Sequence, residues 1–285
     1  DYPDKLLGLQ AKLLFFTWWN LPYTLKFPVS LLEAYNLKHT DGIIAGNQDG
    51  ANVLRDRGYP GPIRVMPQLG VDESLFKPQP QPDLAAQVGL QPDDFVVGFV
   101  GRFVEEKGLL TLIRALGQLK DQPRSWKCLL LGRGPLKATL ETLAAELGIG
   151  DRLRWIESVP HDDVPRYINL MSTLVLPSET TYKFKTLTAV GWKEQFGHVI
   201  IEAMAAQVPV IGSDSGEIPH VIQETGLVFP EGQADELADR LRQLLTQPDL
   251  ARDLGQQGYA RAMGQYTNQA LARQTLDFYR ELVHE

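Results

Sequence analysis

Residues 194–205 read Glu-Gln-Phe-Gly-His-Val-Ile-Ile-Glu-Ala-Met-Ala, and they carry the strongest structural signal in the chain. Two carboxylates, Glu194 and Glu202, lie eight positions apart and flank a Phe-Gly pair. A helix is predicted to begin at Gly197, because an apolar, alanine-rich run follows it. A helix start offers free backbone N–H groups and the positive end of the dipole, which bind phosphate. Glu202 lies inside this helix, where it can reach a polyol such as ribose, and Glu194 lies in the preceding loop, where it can reach a second hydroxylated group.

The residues that follow this helix indicate an α/β sheet. Residues 208–212 read Val-Pro-Val-Ile-Gly, a short buried strand, and the polar turn 213–219 comes next. A helix, a strand and a polar turn in this order are typical of the carboxyl edge of a parallel sheet, where ligands bind. Two glutamates at this spacing recur by chance in a chain with 35 acidic residues, so the interpretation depends on this surrounding pattern.

Three further segments of the chain resemble short sequence motifs, and each lies at the end of a predicted strand. Residues 101–108 read Gly-Arg-Phe-Val-Glu-Glu-Lys-Gly, residues 131–135 read Leu-Gly-Arg-Gly-Pro, and residues 64–72 read Arg-Val-Met-Pro-Gln-Leu-Gly-Val-Asp. With these segments the chain resembles the retaining glycosyltransferases of family GT4, which have the GT-B fold. Residues 194–202 are similar to the family's E-x7-E region. The other three are similar to its G-R-x-x-x-x-K-G phosphate loop, its G-x-G-P turn and its interdomain I-P-x-G-V-D segment.

The resemblance implies an α/β fold of the GT-B type. A complete C-terminal Rossmann-like domain with a parallel sheet is predicted at residues 79–267, with the domain boundary placed in the polar Pro-rich stretch 77–82, which is typical of a linker. Residues 1–78 are predicted to form a partial N-terminal, acceptor-side domain that lacks its first part. This segment opens with a helical pattern from Lys5 to Leu13. Residues 268–285 are expected to cross back to that domain. We expect exposed apolar surface around Phe15, Phe16 and Ile43.

Short apolar runs alternate with helical patterns along most of the chain, which predicts a parallel, doubly wound sheet. Strands are predicted at 14–18, 42–46, 63–66, 95–100, 127–131, 153–156, 174–176, 208–212 and 226–229. Helices are predicted at 30–38, from a cap at 47–49 to Arg57, at 109–119, 136–147 and 163–171, from Gly197, and at 234–245, 249–263 and 268–283. A long loop is predicted from Pro177 to Gln195, and a loop of this length is expected to be functional.

Composition narrows the function classes. The 285 residues are 44% hydrophobic and 22% charged, as in soluble globular proteins, and the net charge of −7 argues against a general nucleic-acid binder. The single cysteine, Cys128, lies in an apolar run and has no internal disulfide partner. No apolar run approaches 18 residues, so we expect no membrane span. The lone cysteine fits a reducing compartment, and we expect a cytoplasmic protein.

The resemblance also implies the site. It assigns donor binding to ten residues: Gly101, Arg102, Lys107, Gly132, Gly134, Val159, Phe196, Gly197, His198 and Glu202. It assigns the catalytic roles to Glu194, Arg102 and Lys107. The residue types agree, because Arg102 offers a planar fork of donors and Lys107 a point charge for a departing diphosphate. The alternative interpretation is a turn with two solvated cations beside Glu105 and Glu106, and the glycines of 132–134 are also explained by a tight turn.

The activity implied by the resemblance is sugar transfer from a nucleotide-diphosphate-sugar to a sugar, lipid or small-molecule acceptor, with retention at the anomeric carbon. No D-x-D motif is present, so we expect neither a metal nor a cofactor beyond the donor. Peripheral membrane contact and self-association stay open. Trp19 stands where many family members have a His or Gln. Two rivals remain: a nucleotide-binding fragment without transferase activity, and a Rossmann oxidoreductase, against which the absence of G-x-G-x-x-G argues.

Overall fold

The computed structural model describes residues 11–284, so most of the helical pattern from Lys5 lies outside the described residues. Strands β1 to β11 are Leu14–Thr17, Gly42–Ala45, Ile63–Val65, Phe95–Val100, Trp126–Leu131, Leu153–Ile156, Thr173–Leu176, Thr181–Lys185, Val190–Trp192, Val210–Ser213 and Leu227–Phe229. Helices α1 to α11 are Val29–His39, Gln48–Asp56, Pro82–Gln87, Leu109–Gly117, Lys137–Glu146, Val164–Ile168, His198–Ala205, Ile218–Ile222, Ala234–Thr246, Pro248–Arg261 and Asn268–His284. The fold is therefore α/β, as predicted.

The larger sheet has six parallel strands in the order β11-β10-β7-β4-β5-β6. Helices cover both faces, which is why β4 reads as a continuous apolar run with five of its six residues buried. The strand order reverses direction between β4 and β7. Ligands bind at such a switch point in open α/β sheets, and the loops that follow β4 and β7 are residues 101–108 and 177–197. The fold thus brings the two strongest sequence motifs to one place.

The smaller sheet has three parallel strands in the order β1-β2-β3. Asn47 caps helix α2, because its side chain accepts a hydrogen bond from the Gly50 N–H at 2.7 Å. Our prediction of exposed apolar surface at Ile43 was wrong: the central strand β2 is covered on both faces, and Ile43 is fully buried. Phe15 and Phe16 are half-buried, and exposed apolar side chains lie instead at Phe27 and along helix α1.

The last helix joins the two sheets. Helix α11 follows a π-helical turn at 262–266 and packs Leu271, Phe278 and Leu282 against the smaller sheet. Arg64 on β3 pairs with Glu281 of this helix at 2.7 Å. None of the helices in residues 11–284 has the length and apolar character needed to cross a membrane.

The main departure from the predicted elements lies between β7 and α7. The long loop predicted there contains an antiparallel hairpin, β8–β9, with a register irregularity between Thr181 and Lys185. Two short helices, α3 and α8, were also not predicted, and the helix predicted at 163–171 is confined to α6. These helices are five or six residues long, too short for a periodic apolar pattern to mark them.

Candidate functional site

A cavity of about 320 Å³ opens at the carboxyl ends of β4, β5 and β6. Its lining consists of Val100, Gly101, Arg102, Leu131, Gly132, Arg133, Ser158, Val159 and Val164, which include four of the predicted donor-binding residues. A Cβ on Gly132 would lie 1.9 Å from the Gly101 carbonyl oxygen, so only glycine permits this approach of the two loops. A Cβ on Gly134 would similarly lie 2.3 Å from the Phe103 carbonyl oxygen, so that glycine serves loop packing.

Lys107 and Glu194 form an ion pair at the switch point of the sheet. The Lys107 Nζ lies 2.5 Å from Glu194 Oε2, and the Ser178 hydroxyl donates to the same oxygen at 2.7 Å. The two side chains are only 16% and 10% exposed, so solvent screens their attraction weakly. The structure therefore brings together two predicted catalytic residues that are 87 positions apart.

Backbone contacts fix the position of Glu194. Its carbonyl oxygen accepts hydrogen bonds from the Asn20 side-chain amide at 3.1 Å and from the Glu217 N–H at 3.2 Å. Gly216 has a φ of +56°, and a Cβ there would lie 1.9 Å from the same carbonyl oxygen. Glu194 is thus held by β7, by the turn after β10 and by the segment after β1, and the smaller sheet contributes directly to the site.

Lys107 is positioned by the end of its own loop. The next residue, Gly108, adopts a left-handed φ of +65°, and a Cβ there would lie 1.7 Å from the Pro177 carbonyl oxygen. The Trp192 ring of the hairpin covers Lys107, with its centroid 5.2 Å from Nζ. A cation over an aromatic face is stabilised electrostatically, so the hairpin forms one wall around this lysine.

Arg102 stands apart from this pair. Its side chain is 68% exposed, and its one ion pair among residues 11–284 is with Glu106 at 3.5 Å. A guanidinium held this loosely is free to turn toward an anion in the adjoining cavity. Arg102 and Lys107 thus lie on the same loop but in different surroundings. Arg102 is open to solvent, whereas the charge of Lys107 is already neutralised by Glu194.

The predicted helix start is confirmed in position, with Gly197 as the N-cap of α7 in a left-handed conformation at φ +81°. The Phe196 ring is buried and makes an edge contact with Trp18, with 6.1 Å between the ring centroids. Its side chain therefore packs in the core, and the backbone of Phe196 is the part left to contact a donor. Burial lowers the pKa of the His198 imidazole, which favours the neutral ring at pH 7.

Glu202 lies inside α7 and makes no side-chain hydrogen bond or ion pair with any described residue. Burial raises the pKa of its carboxyl to about 7. A half-buried, unpartnered carboxyl is costly to keep ionised, and such groups concentrate at functional sites.

Replacing Glu202 with glutamine should stabilise the chain at pH 8. The folded-state pKa is above the unfolded value, so its contribution is most favourable at low pH and declines as the pH rises from about 4.5 toward 7. We expect Glu202→Gln to raise the free energy of unfolding by roughly 1–3 kcal/mol at pH 8 and to change it little at pH 4. Urea unfolding at both pH values measures this, with Glu224→Gln, at an exposed position, as the control. An equal effect at both pH values would contradict it.

The site predicted from the sequence did not include several residues that the structure places in it. Ser178 and Glu217 contact Glu194, and Trp192 covers Lys107. Asn20, which follows β1, contacts the Glu194 carbonyl oxygen from the smaller sheet. Because these contacts join segments far apart in the chain, the one sequence signal for them was that their segments follow strands at the same edge.

Comparison with known proteins identifies the family of the chain. The sequence model of the family "Glycosyl transferases group 1" matches residues 80–261. The chain is 31% identical over 226 residues to the GDP-mannose-dependent alpha-(1-6)-phosphatidylinositol monomannoside mannosyltransferase of Mycobacterium tuberculosis, covering 77% of this chain and 57% of that protein. It is 30% identical over 249 residues to the D-inositol 3-phosphate glycosyltransferase of Nocardia farcinica, covering 81% and 51%. The chain thus spans about half the length of the curated relatives it matches.

Solved structures give the same fold. Sucrose-phosphate synthase from Thermosynechococcus elongatus superposes with a TM-score of 0.71 at 31% identity, covering 90% of this chain and 61% of that one. HepE from Anabaena, solved with UDP and glucose, superposes with a TM-score of 0.75 over 98% of this chain and 73% of its own, although only 19% of the residues are identical. With the motifs of residues 101–108 and 194–202 at one edge of a GT-B sheet, the chain belongs to the group 1 glycosyl transferases.

Proposed function

We propose that the chain binds a nucleotide-diphosphate-sugar at the carboxyl edge of the larger sheet, and that the whole protein transfers the sugar to an acceptor with retention. One observation carries the proposal: Lys107 and Glu194, one a phosphate ligand and one a hydroxyl ligand by chemistry, meet at the switch point of the sheet. The cavity lined by Gly101, Gly132 and Val159 lies at the same edge and offers room for the nucleoside.

The residue roles follow from charge and position. Arg102 and Lys107 neutralise the diphosphate, which gains negative charge as the bond from its oxygen to the anomeric carbon breaks. Glu194 holds the transferred sugar and Glu202 the ribose. No protein nucleophile is assigned: the acceptor oxygen forms the new bond on the face that the diphosphate leaves, and the acceptor proton passes to the departing phosphate. We further propose that this reaction uses no metal or cofactor and takes place in the cytoplasm.

The Lys107–Glu194 pair couples the binding of the donor's diphosphate to the binding of its sugar. A diphosphate that contacts Lys107 competes with Glu194 for its ammonium group, while Ser178 keeps its hydrogen bond to the carboxylate. Glu194 then has an oxygen available for a sugar hydroxyl. In this proposal the phosphate and the sugar are bound in a coupled way.

The donor nucleotide is identified by a binding panel. One relative is named for GDP-mannose, and HepE was solved with UDP and glucose, so UDP, GDP and their glucose and mannose conjugates are the probes. NAD is the control for the oxidoreductase alternative. Calorimetry that detects neither UDP nor GDP at millimolar concentration would overturn the proposal.

Substitutions of the two glutamates should have different effects on nucleotide binding in the same assay. We expect Glu202→Gln to weaken the free nucleoside diphosphate about tenfold, because a charge-assisted hydrogen bond to ribose contributes about 1.5–3 kcal/mol. Glu194→Gln should not weaken the free nucleotide, because it removes the carboxylate that competes with the diphosphate for Lys107, but it should weaken the nucleotide-sugar and reduce transfer. Equal effects of both substitutions on the free nucleotide would contradict this division.

A second candidate is a nucleotide-binding module without transfer activity. The smaller sheet has three strands in the described part of the chain, and transfer needs an acceptor held in attack geometry against the donor. A turnover assay with the matched donor and a panel of sugar and lipid acceptors separates the two. Donor binding without turnover favours the module, and turnover establishes the enzyme.

A further inference from the structure

The β8–β9 hairpin ends in an exposed apolar tip. Leu187 in its turn is 100% exposed, and Tyr182, Phe184 and Val190 on its strands are also exposed. Exposed apolar side chains are common singly, but four of them within nine residues form a patch. The hairpin does not bury them against the larger sheet, so their packing in this chain does not explain them.

A second exposed apolar segment lies beside the hairpin. The Thr24 N–H donates to the Thr188 carbonyl oxygen at 2.8 Å, which joins the turn of the hairpin to the segment before α1. Phe27 is 79% exposed, and Val29, Leu31 and Leu32 follow it with half or more of their surface exposed. The hairpin turn thus lies next to the segment that leads into residues 27–32, and the exposed apolar side chains of these two segments are here called the apolar rim.

The two segments that form the apolar rim carry lysines and no acidic residue of their own. Residues 20–32 and 180–193 contain four lysines, Lys26, Lys183, Lys185 and Lys193, and no Asp or Glu, whereas the net charge of the chain is −7. Lys183 pairs with Glu105 and Lys193 with Asp49. Lys26 and Lys185 make no ion pair with described residues.

We propose that the apolar rim binds the surface of a membrane containing anionic lipids. Apolar tips that enter the acyl boundary, flanked by lysines at headgroup level, are the two components of interfacial binding. A protein partner fits less well, because protein interfaces are depleted in lysine. A second copy would bring like charges together across a two-fold axis.

The position of the rim relates it to the site. The hairpin continues from the apolar rim through Trp192, which covers Lys107, to Glu194. A membrane on the rim therefore lies next to the donor site, so an acceptor hydroxyl at the lipid surface reaches it without leaving the bilayer. This last step rests on the proposed transfer function, but membrane binding itself does not.

The test is cosedimentation of the 285-residue chain with vesicles of phosphatidylcholine alone or mixed with phosphatidylglycerol. We expect binding to the mixed vesicles that falls with rising salt. Phe27→Ser with Leu187→Ser should weaken it at least tenfold, and Lys26→Glu with Lys185→Glu by about tenfold or more. Leu276→Ser and Lys120→Glu, exposed residues outside the rim, are the matched controls and should bind as the parent does.

Three results would overturn the inference: no vesicle binding, binding that the rim variants retain, or rim-dependent dimers in analytical ultracentrifugation without vesicle binding. Thermal unfolding shows whether the variants are folded. UDP and GDP calorimetry on the rim variants keeps this inference separate from the proposed function. Unchanged nucleotide affinity with lost vesicle binding supports a surface that is distinct from the donor site.

Discussion

Replacing Lys107 with alanine is expected to damage both stability and donor binding. The substitution leaves the carboxylate of Glu194, 10% exposed, with only the Ser178 hydroxyl as a side-chain partner. Removing one partner of a buried ion pair costs about 3–5 kcal/mol, and we expect about 3 kcal/mol here because the pair is not fully buried. The lost charge-assisted contact should weaken nucleoside diphosphate binding by roughly ten- to a hundredfold. Urea unfolding and calorimetry measure the two effects.

Two further variants separate these effects. Arg102→Ala should also weaken diphosphate binding about tenfold, yet it should destabilise the chain less than Lys107→Ala does. Although Glu106 is buried, Arg102 is 68% exposed and their atoms are 3.5 Å apart, so water screens this pair more than the pair of Lys107 with Glu194. In the double variant Lys107→Ala/Glu194→Gln, the buried charge is gone, and we expect part of the stability to return. If Arg102→Ala and Lys107→Ala destabilise the chain equally, the buried pair does not have the importance given to it here.

The larger sheet could be predicted because its strands bury both faces. Phe95–Val100 has the predicted bounds, since a continuous apolar run of six residues has few alternatives. Leu153–Ile156 also has the predicted bounds, although it contains Arg154 and only Leu153 is fully buried. The β8–β9 hairpin was missed because no core marks it: its side chains are mostly exposed, and its second strand is three residues long and contains Gly191. One signal was present, the alternation of Tyr182 and Phe184 with lysines, which is typical of a strand.

The site was predictable in its strand-end motifs but not in its contacts. The segments that carry Lys107 and Glu194 both follow strands of the larger sheet, so their arrival at one edge could be predicted from the α/β order. The direct ion pair could not, because it depends on the conformation of two loops and on the strand order between them. The contribution of Asn20 crosses from the smaller sheet, and no local pattern indicates a contact over 174 positions.

Gly108 is expected to be the glycine on which the site geometry depends most. It adopts φ +65°, and a Cβ would lie 1.7 Å from the Pro177 carbonyl oxygen, closer than any real contact, so the backbone has to move. Lys107 precedes this glycine and Ser178 follows Pro177, so a shift of either backbone segment separates the Lys107–Glu194–Ser178 contacts. We expect Gly108→Ala to reduce the free energy of unfolding by more than about 3 kcal/mol, and diphosphate affinity by about tenfold.

Gly148→Ala is the matched control, because it shares the unfavourable backbone but not the contact. Gly148 has φ +71°, and a Cβ there would meet no atom within 4 Å. Its substitution should therefore cost only the left-handed conformation of alanine, about 1 kcal/mol, and leave diphosphate binding unchanged. The difference between the two variants measures the close approach of the loops after β4 and β7. Equal destabilisation by both would mean that these loops adapt freely, and the precise placement of Lys107 would then have to come from its pairing with Glu194 and Trp192 alone.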